Sequence, residues 1–287
     1  MLAVLAATWT FATAAPAGAV DHSCRSVNGV LEEQSGNATC ISTRGNRAVA
    51  TGDGSVAEAT GGWGNVAIAH QSSTATASGY FSQATAVDNS QAIAVGVLNR
   101  ARAENSSDST AGGNATRATA TNTSSAATSG QGTTATADAG SSAVAAGTGT
   151  TATAQDASVA SADGVRSRAS ALDDSAASAT GTRAVADAAV TSAAQSNGTA
   201  PTAYARDGSV ATADGAYAYA KAIGQSSAST GLGDSNRAIA IDQSLAQAGN
   251  GNANLAFATG VSDATACGGG ERALAFNGNS VTAGICP

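Results

Sequence analysis

Alanine marks the apolar positions of this chain, and it marks them in pairs. From Ala67 onward the segments read A-x-A, break, and read A-x-A again, with polar or bulkier residues between. In windows of 17 residues the first position is alanine in all ten windows from Ala67 to Ala220, and so is the third, from Ala69 to Ala222. The seventh is serine from Ser73 to Ser226, and the ninth is alanine except at Ser109. The thirteenth is glycine from Gly79 to Gly215, with Leu232 in the last window. Columns that hold phase over such a distance define a repeat architecture.

Period-2 alternation is the signature of a strand. Two such units per window predict an all-β, single-stranded parallel β-solenoid (a β-roll) with 17-residue rungs and two strands per rung. Residues i and i+2 share one face of a strand. The alanines should therefore line a narrow core, while the residues between them face water and are free to vary. Serine in column seven and glycine in column thirteen are expected in the turns between strands. Column five adds the turn formers Asp88, Asn105, Asn122, Asp156, Asp173 and Asp207. The phase slips by single residues near Ala48, Ala57, Ala238, Ala256 and Ala273, so the coil should run from Ala48 to Ala283. Roughly fourteen rungs at about 4.7 Å make a rod on the order of 65 Å long.

Two other readings of an alanine-rich chain fail on the same columns. A helix would need a 3.6-residue stripe, which is missing, and each interior glycine would cost it about 1 kcal/mol. Disorder has no reason to keep phase. Aromatics at 3% and charged residues at 11% exclude a core of large side chains. A net charge of −7, with Lys221 the one lysine, gives no electrostatic footprint for nucleic acid.

The ends differ from the middle. Residues 1–19 are apolar and finish in Ala17-Gly18-Ala19, which reads as a signal peptide and predicts a secreted or cell-surface-associated protein. The four cysteines, Cys24, Cys40, Cys267 and Cys286, lie only at the ends, and in an exported chain that favours disulfides. The local pairings Cys24–Cys40 and Cys267–Cys286 would staple two caps, although three connectivities are open. The organisation expected is a signal peptide at 1–19, an N-terminal cap at 20–47, solenoid repeats at 48–266, and a last rung with its cap at 267–287. No segment reaches the roughly 20 apolar residues of a membrane span.

The units "NVAIA" (Asn65–Ala69), "SQAIAVG" (Ser90–Gly96), "NRAIAID" (Asn236–Asp242) and "SVATADG" (Ser209–Gly215) resemble the head repeats of YadA-like trimeric autotransporter adhesins. The resemblance covers most of the chain after Ala48. It implies a left-handed parallel β-roll exposed outside the cell and adhesion to surfaces or matrix proteins. This chain departs from that family in its longer, alanine-richer rung and in showing neither heptad stalk nor C-terminal membrane anchor, so self-anchoring is not expected. Monomer and trimer both stay open.

Candidate chemistry is sparse. His22 and His70 lie far apart, with no nucleophile or carboxylate at a repeated column beside either. The column-five carboxylates do not recur on every rung, as a calcium-binding roll would require. "GDG" (Gly52–Gly54) and "ACGGGE" (Ala266–Glu271) lack the lysine of a phosphate-binding loop. No enzyme, metal or cofactor is expected. Two surface features remain. Tyr204, Tyr219 and Lys221 should face outward on neighbouring rungs with Tyr217 at the adjoining turn, a candidate contact for an extracellular matrix, glycan or cell-surface partner. Arg100, Arg102 and Arg117 form a similar row, with Glu104 placed to neutralise it. The alternative function is ice binding by a Thr-x-Thr face. Its candidates are Thr134 with Thr136, Thr151 with Thr153, and Thr119 with Thr121 shifted by two positions.

Overall fold

The computed structural model describes residues 22–287 except 73, 90, 107, 124, 141, 175, 192, 209, 226, 244, 250–251, 262, 267–268, 277–279 and 285–287. It is an all-β parallel solenoid of about 13 turns. Each turn contributes one strand to a 16-stranded sheet and one to a 15-stranded sheet, here called the first and second sheets. Columns one and three belong to the first sheet, as in Thr134–Asp138. Columns nine and eleven belong to the second, as in Ser142–Thr148. Strands stack in register one rung apart, so that Ala135 pairs with Ala118 and Ala152.

The alanines point inward. Those of columns one and three are almost completely buried from Ala67 to Ala222, and the alanines of columns nine and eleven are buried with them. Alanine is a poor strand former and each methyl buries little area, so the rungs must hold one another. Backbone hydrogen bonds do this even at the corners: Gly132 N–H donates to Thr148 C=O at 2.8 Å and Asn122 N–H to Asp138 C=O at 3.1 Å. The stability is therefore that of a stack of neighbours, in which one rung alone would not fold.

Glycine column thirteen corrects one expectation. Gly96 and Gly113 pair with each other inside the strands Gln91–Val97 and Asp108–Asn114 instead of sitting in a turn. From Gly79 to Gly215 this column holds φ between 117° and 137°. A Cβ at Gly147 would overlap the carbonyl oxygen of Gly130 and lie 2.8 Å from its carbonyl carbon. Only a residue without a side chain lets successive rungs close at this bend. Two columns later the corner is less demanding. Leu98, Ala115, Arg166, Arg183 and Ala200 occupy it with φ between 55° and 61°.

The column-five residues do form turns, with φ of 58° at Asn105 and Asn122 and 55° at Asp173. Their side chains form a ladder in which Asn122 Nδ2 donates to Asn105 Oδ1 at 3.0 Å and Asn105 Nδ2 to Asp88 Oδ1 at 2.8 Å. Of the column-seven serines only Ser158 is a described residue, and it is buried.

The phase slips are corner insertions. Ala220 pairs with Ala238, and Ala238 with Ala256, in rungs one residue longer than the regular ones, yet inward alanine still meets inward alanine. Parallel pairing also begins before Ala48: Thr39–Ser42 lies against Val56–Ala59 in the second sheet. Ser23–Ser26 runs antiparallel along Ala48–Thr51 and covers the first sheet's N-terminal edge, as exposed edges require. A disulfide joins Cys24 to Cys40 across this end with a Cα–Cα distance of 5.7 Å. The proposed Cys267–Cys286 pair and the signal peptide at 1–19 lie outside the described residues.

Candidate binding face

Because the core is filled by methyl groups, whatever the molecule recognises must be carried by its outward columns or its corners. On the first sheet the outward positions are columns seventeen, two and four. Tyr204 pairs with Lys221 and Thr202 with Tyr219, so the three candidate residues meet on adjacent strands. The Tyr204 and Tyr219 rings are 5.7 Å apart and tilted by 60°. Tyr217 is exposed at the corner with φ 59° and belongs to the edge of this group.

The group continues further than column counting from Ala67 suggests. Lys221 pairs with Ile239, Ile239 with Phe257 and Phe257 with Leu274. Arg237 follows Tyr219 in the next rung, and its guanidinium lies 5.8 Å from the Tyr219 ring centroid. Phe257 and Phe276 make an edge-on pair with centroids 5.7 Å apart. Five consecutive strands thus carry tyrosine, isoleucine, leucine and phenylalanine together with Arg206, Lys221, Arg237 and Arg272. Their outward columns hold no carboxylate short of Asp242, at the end of its strand. An open hollow of about 260 Å³ lies on it, lined by Tyr204, Ala205, Arg206, Lys221 and Ile223.

Partial burial, reinforced by the neighbouring Tyr204 phenol, raises the pKa of Tyr219 above its ordinary value, and Arg237 pulls weakly the other way. The ring therefore stays neutral and able to donate a hydrogen bond throughout the physiological range. Its hydroxyl and the cationic side chains around it offer both hydrogen bonds and charge to a ligand.

The threonine candidates fall on the same sheet, several rungs earlier. Thr119, Thr136 and Thr153 stand in one column and Thr134 and Thr151 in another, while Thr121 lies opposite Asp138. The array is bounded by Arg102 and Arg117 on one side and by Arg168 and Asp187 on the other. Arg168 reaches Asp187 at 4.0 Å. Arg100, Arg102 and Arg117 do lie on neighbouring strands, and Arg102 forms an ion pair with Glu104.

Two features escaped the reading of the columns. Column sixteen is buried at the corner from Ser82 through Asn99, Thr116, Thr133 and Ser167, with Asn236 and Asn254 in the later rungs. Some of its side chains reach backbone carbonyls, Asn99 Nδ2 donating to Gly96 and Gly112 and Ser167 Oγ to Thr180 at 2.8 Å, while the Thr116 and Thr133 hydroxyls are buried without a partner among the described residues. A second aromatic group, Trp63, Tyr80 and Phe81, is well exposed at an N-terminal corner, with Trp63 and Tyr80 ring centroids 5.8 Å apart. His70 lies half-buried at the end of Val66–His70. Among the described residues no three His, Cys, Asp or Glu side chains are grouped to hold a metal ion, and no helix is long and apolar enough to cross a membrane.

No protein-family model, curated protein or solved structure matches this chain. Its function has to be read from the faces themselves.

Proposed function

We propose that this protein is a non-enzymatic extracellular rod that attaches to a surface partner through the outward columns of its first sheet, in the last third of the solenoid. One observation carries the reading: the aromatic, aliphatic and cationic residues of five successive strands form one continuous face in a chain that is only 3% aromatic and 11% charged. Aromatic and arginine side chains are the ones that dominate binding energy at interfaces. Tyr204, Tyr219 and Lys221 stand on its first two strands, with Tyr217 at its edge. The resemblance to the heads of YadA-like adhesins supports the same reading, as does the apolar N-terminal segment of a secreted protein. The test is attachment of purified protein to cells, matrix proteins and glycans. Saturable binding should be lost when Tyr204, Tyr219 and Lys221 are changed together to serine, and an unchanged isotherm would refute the assignment.

Ice binding is the second reading, favoured by the in-register column Thr119, Thr136 and Thr153. An ice-binding face should be uniform and uncharged over many rungs, whereas arginine or aspartate stands within one rung of both ends of this one. Thermal hysteresis abolished by Thr136→Lys would establish it over the adhesive reading.

A further inference from the structure

The C-terminal face of the first sheet has a charge pattern that specifies its partner more narrowly. Lys221 stands mid-strand and Arg237 and Arg272 at the strand starts of its outward columns, on the strands Tyr219–Ile223, Arg237–Asp242 and Arg272–Ala275. Among the described residues, no carboxylate lies within ion-pair distance of these three. Carboxylates stand toward the margins: Asp187 one rung before Tyr204, and Asp207, Asp234, Asp242 and Glu271 toward the corners. In a chain of net charge −7, cations left without a carboxylate partner are available to an anion from outside. The surface between the cations is ring and aliphatic carbon, supplied by Tyr204, Tyr219, Phe257 and Leu274, with Ile239 buried beneath them.

Such a face suits a ligand that is linear, carries regularly repeated negative charges and presents apolar C–H faces between them. We infer that it is a platform for an acidic polysaccharide, a chain of pyranose rings bearing carboxylates, laid along the solenoid axis. The inference rests on the adhesive reading above and names the partner of that same face. Pyranose C–H groups pack on aromatic and aliphatic faces, and carboxylates accept hydrogen bonds from lysine and arginine. Strands repeat at about 4.7–4.9 Å, close to the advance of one sugar along such a chain. Cations one and two rungs apart can therefore each meet a carboxylate without bending the polymer. A nucleic acid fits less well, because the tyrosine and phenylalanine rings are tilted against each other rather than open as stacking surfaces for bases.

The experiment is calorimetry or biolayer interferometry of the mature protein against polygalacturonate, its methyl ester, neutral dextran and single-stranded DNA, beside a cell-attachment assay. Polygalacturonate should bind, and its affinity should fall roughly tenfold or more between low and high salt as the charges are screened. The ester and dextran should bind at least tenfold more weakly through the loss of charge-assisted hydrogen bonds, and DNA through the lack of open stacking surfaces. The double change Lys221→Gln and Arg237→Gln should weaken polygalacturonate binding at least tenfold, and Tyr219→Phe less. Arg100→Gln with Arg117→Gln, on the same sheet but away from this face, should leave it unchanged. An unaltered circular-dichroism spectrum and melting profile separate these effects from misfolding. Equal binding of ester and acid, preference for DNA, or no binding to polygalacturonate would overturn the inference. In those cases, cell attachment that still depends on Tyr204, Tyr219 and Lys221 would leave the adhesive reading standing, and attachment independent of them would remove both.

Discussion

Changing Gly147 to alanine tests how closely the rungs are packed, and Gly149→Ala, two residues along, is its internal control. Both glycines have positive φ, 132° at Gly147 and 68° at Gly149. At Gly149 the added methyl would come no nearer to other atoms than 4.0 Å, to Gly132 Cα, and the equivalent corner position already holds Leu98, Ala115 and Arg166. The cost there is that of placing an L-residue in the left-handed region, about 1 kcal/mol. At Gly147 the methyl would occupy the space of the Gly130 carbonyl oxygen, and the backbone would have to separate the two rungs or leave its φ. Overlap with fixed backbone, added to a conformation reserved for glycine, should cost roughly 3–5 kcal/mol. Urea denaturation followed by circular dichroism gives the ranking, and amide hydrogen exchange locates the damage. Protection should fall in the strands Ser125–Gln131, Ser142–Thr148 and Val159–Val165 before it falls elsewhere, because repeats lose stability with their neighbours. Equal costs for the two substitutions would refute the claim that column thirteen is glycine because the next rung requires it.

Further outcomes follow from the core and from the tyrosine pair. Ala137→Leu puts three carbons into a fully packed interior and should destabilise by about 1–3 kcal/mol or more, while Thr136→Val, on the outside of the same strand, should change stability little; similar melting shifts for both would argue against inward methyls. The raised Tyr219 pKa means that the folded state resists its ionisation, so its contribution is intact below the ordinary phenol pKa and is lost as pH rises through it. Stability should thus decline above about pH 10, and Tyr219→Phe should flatten that decline relative to the parent in melts recorded from pH 8 to 11.

The alanine columns were the legible part, because period-2 spacing and a fixed 17-residue phase leave little freedom in how Ala135 and Ala137 can be placed. Column thirteen was legible as a repeat but not in its role. A lone glycine reads as a turn former, and only the three-dimensional stack reveals Gly130 sitting beneath Gly147. Column sixteen drew no reading from the sequence. Ser82, Asn99 and Ser167 are enclosed by the corner and reach backbone carbonyls, and side-chain type alone does not tell such a position from an exposed polar corner. The sequence reading picked out the first two strands of the proposed face and not its continuation toward the C-terminal end. One-residue insertions between Ala222 and Ala238, and again before Ala256, move Arg237 and Phe257 out of column, while strand pairing returns them to the same face. Re-phasing the windows at Ala238 and Ala256 would have exposed the continuity.

Hydroxyl-radical footprinting of the protein, free and after incubation with cells, tests the proposed location of binding most directly. Tyr204, Tyr219 and Phe276 should become protected on binding, while Trp63 and Tyr80, exposed at the opposite end of the rod, should keep their labelling. Protection of Trp63 and Tyr80 instead, or no change at the C-terminal face, would contradict the account.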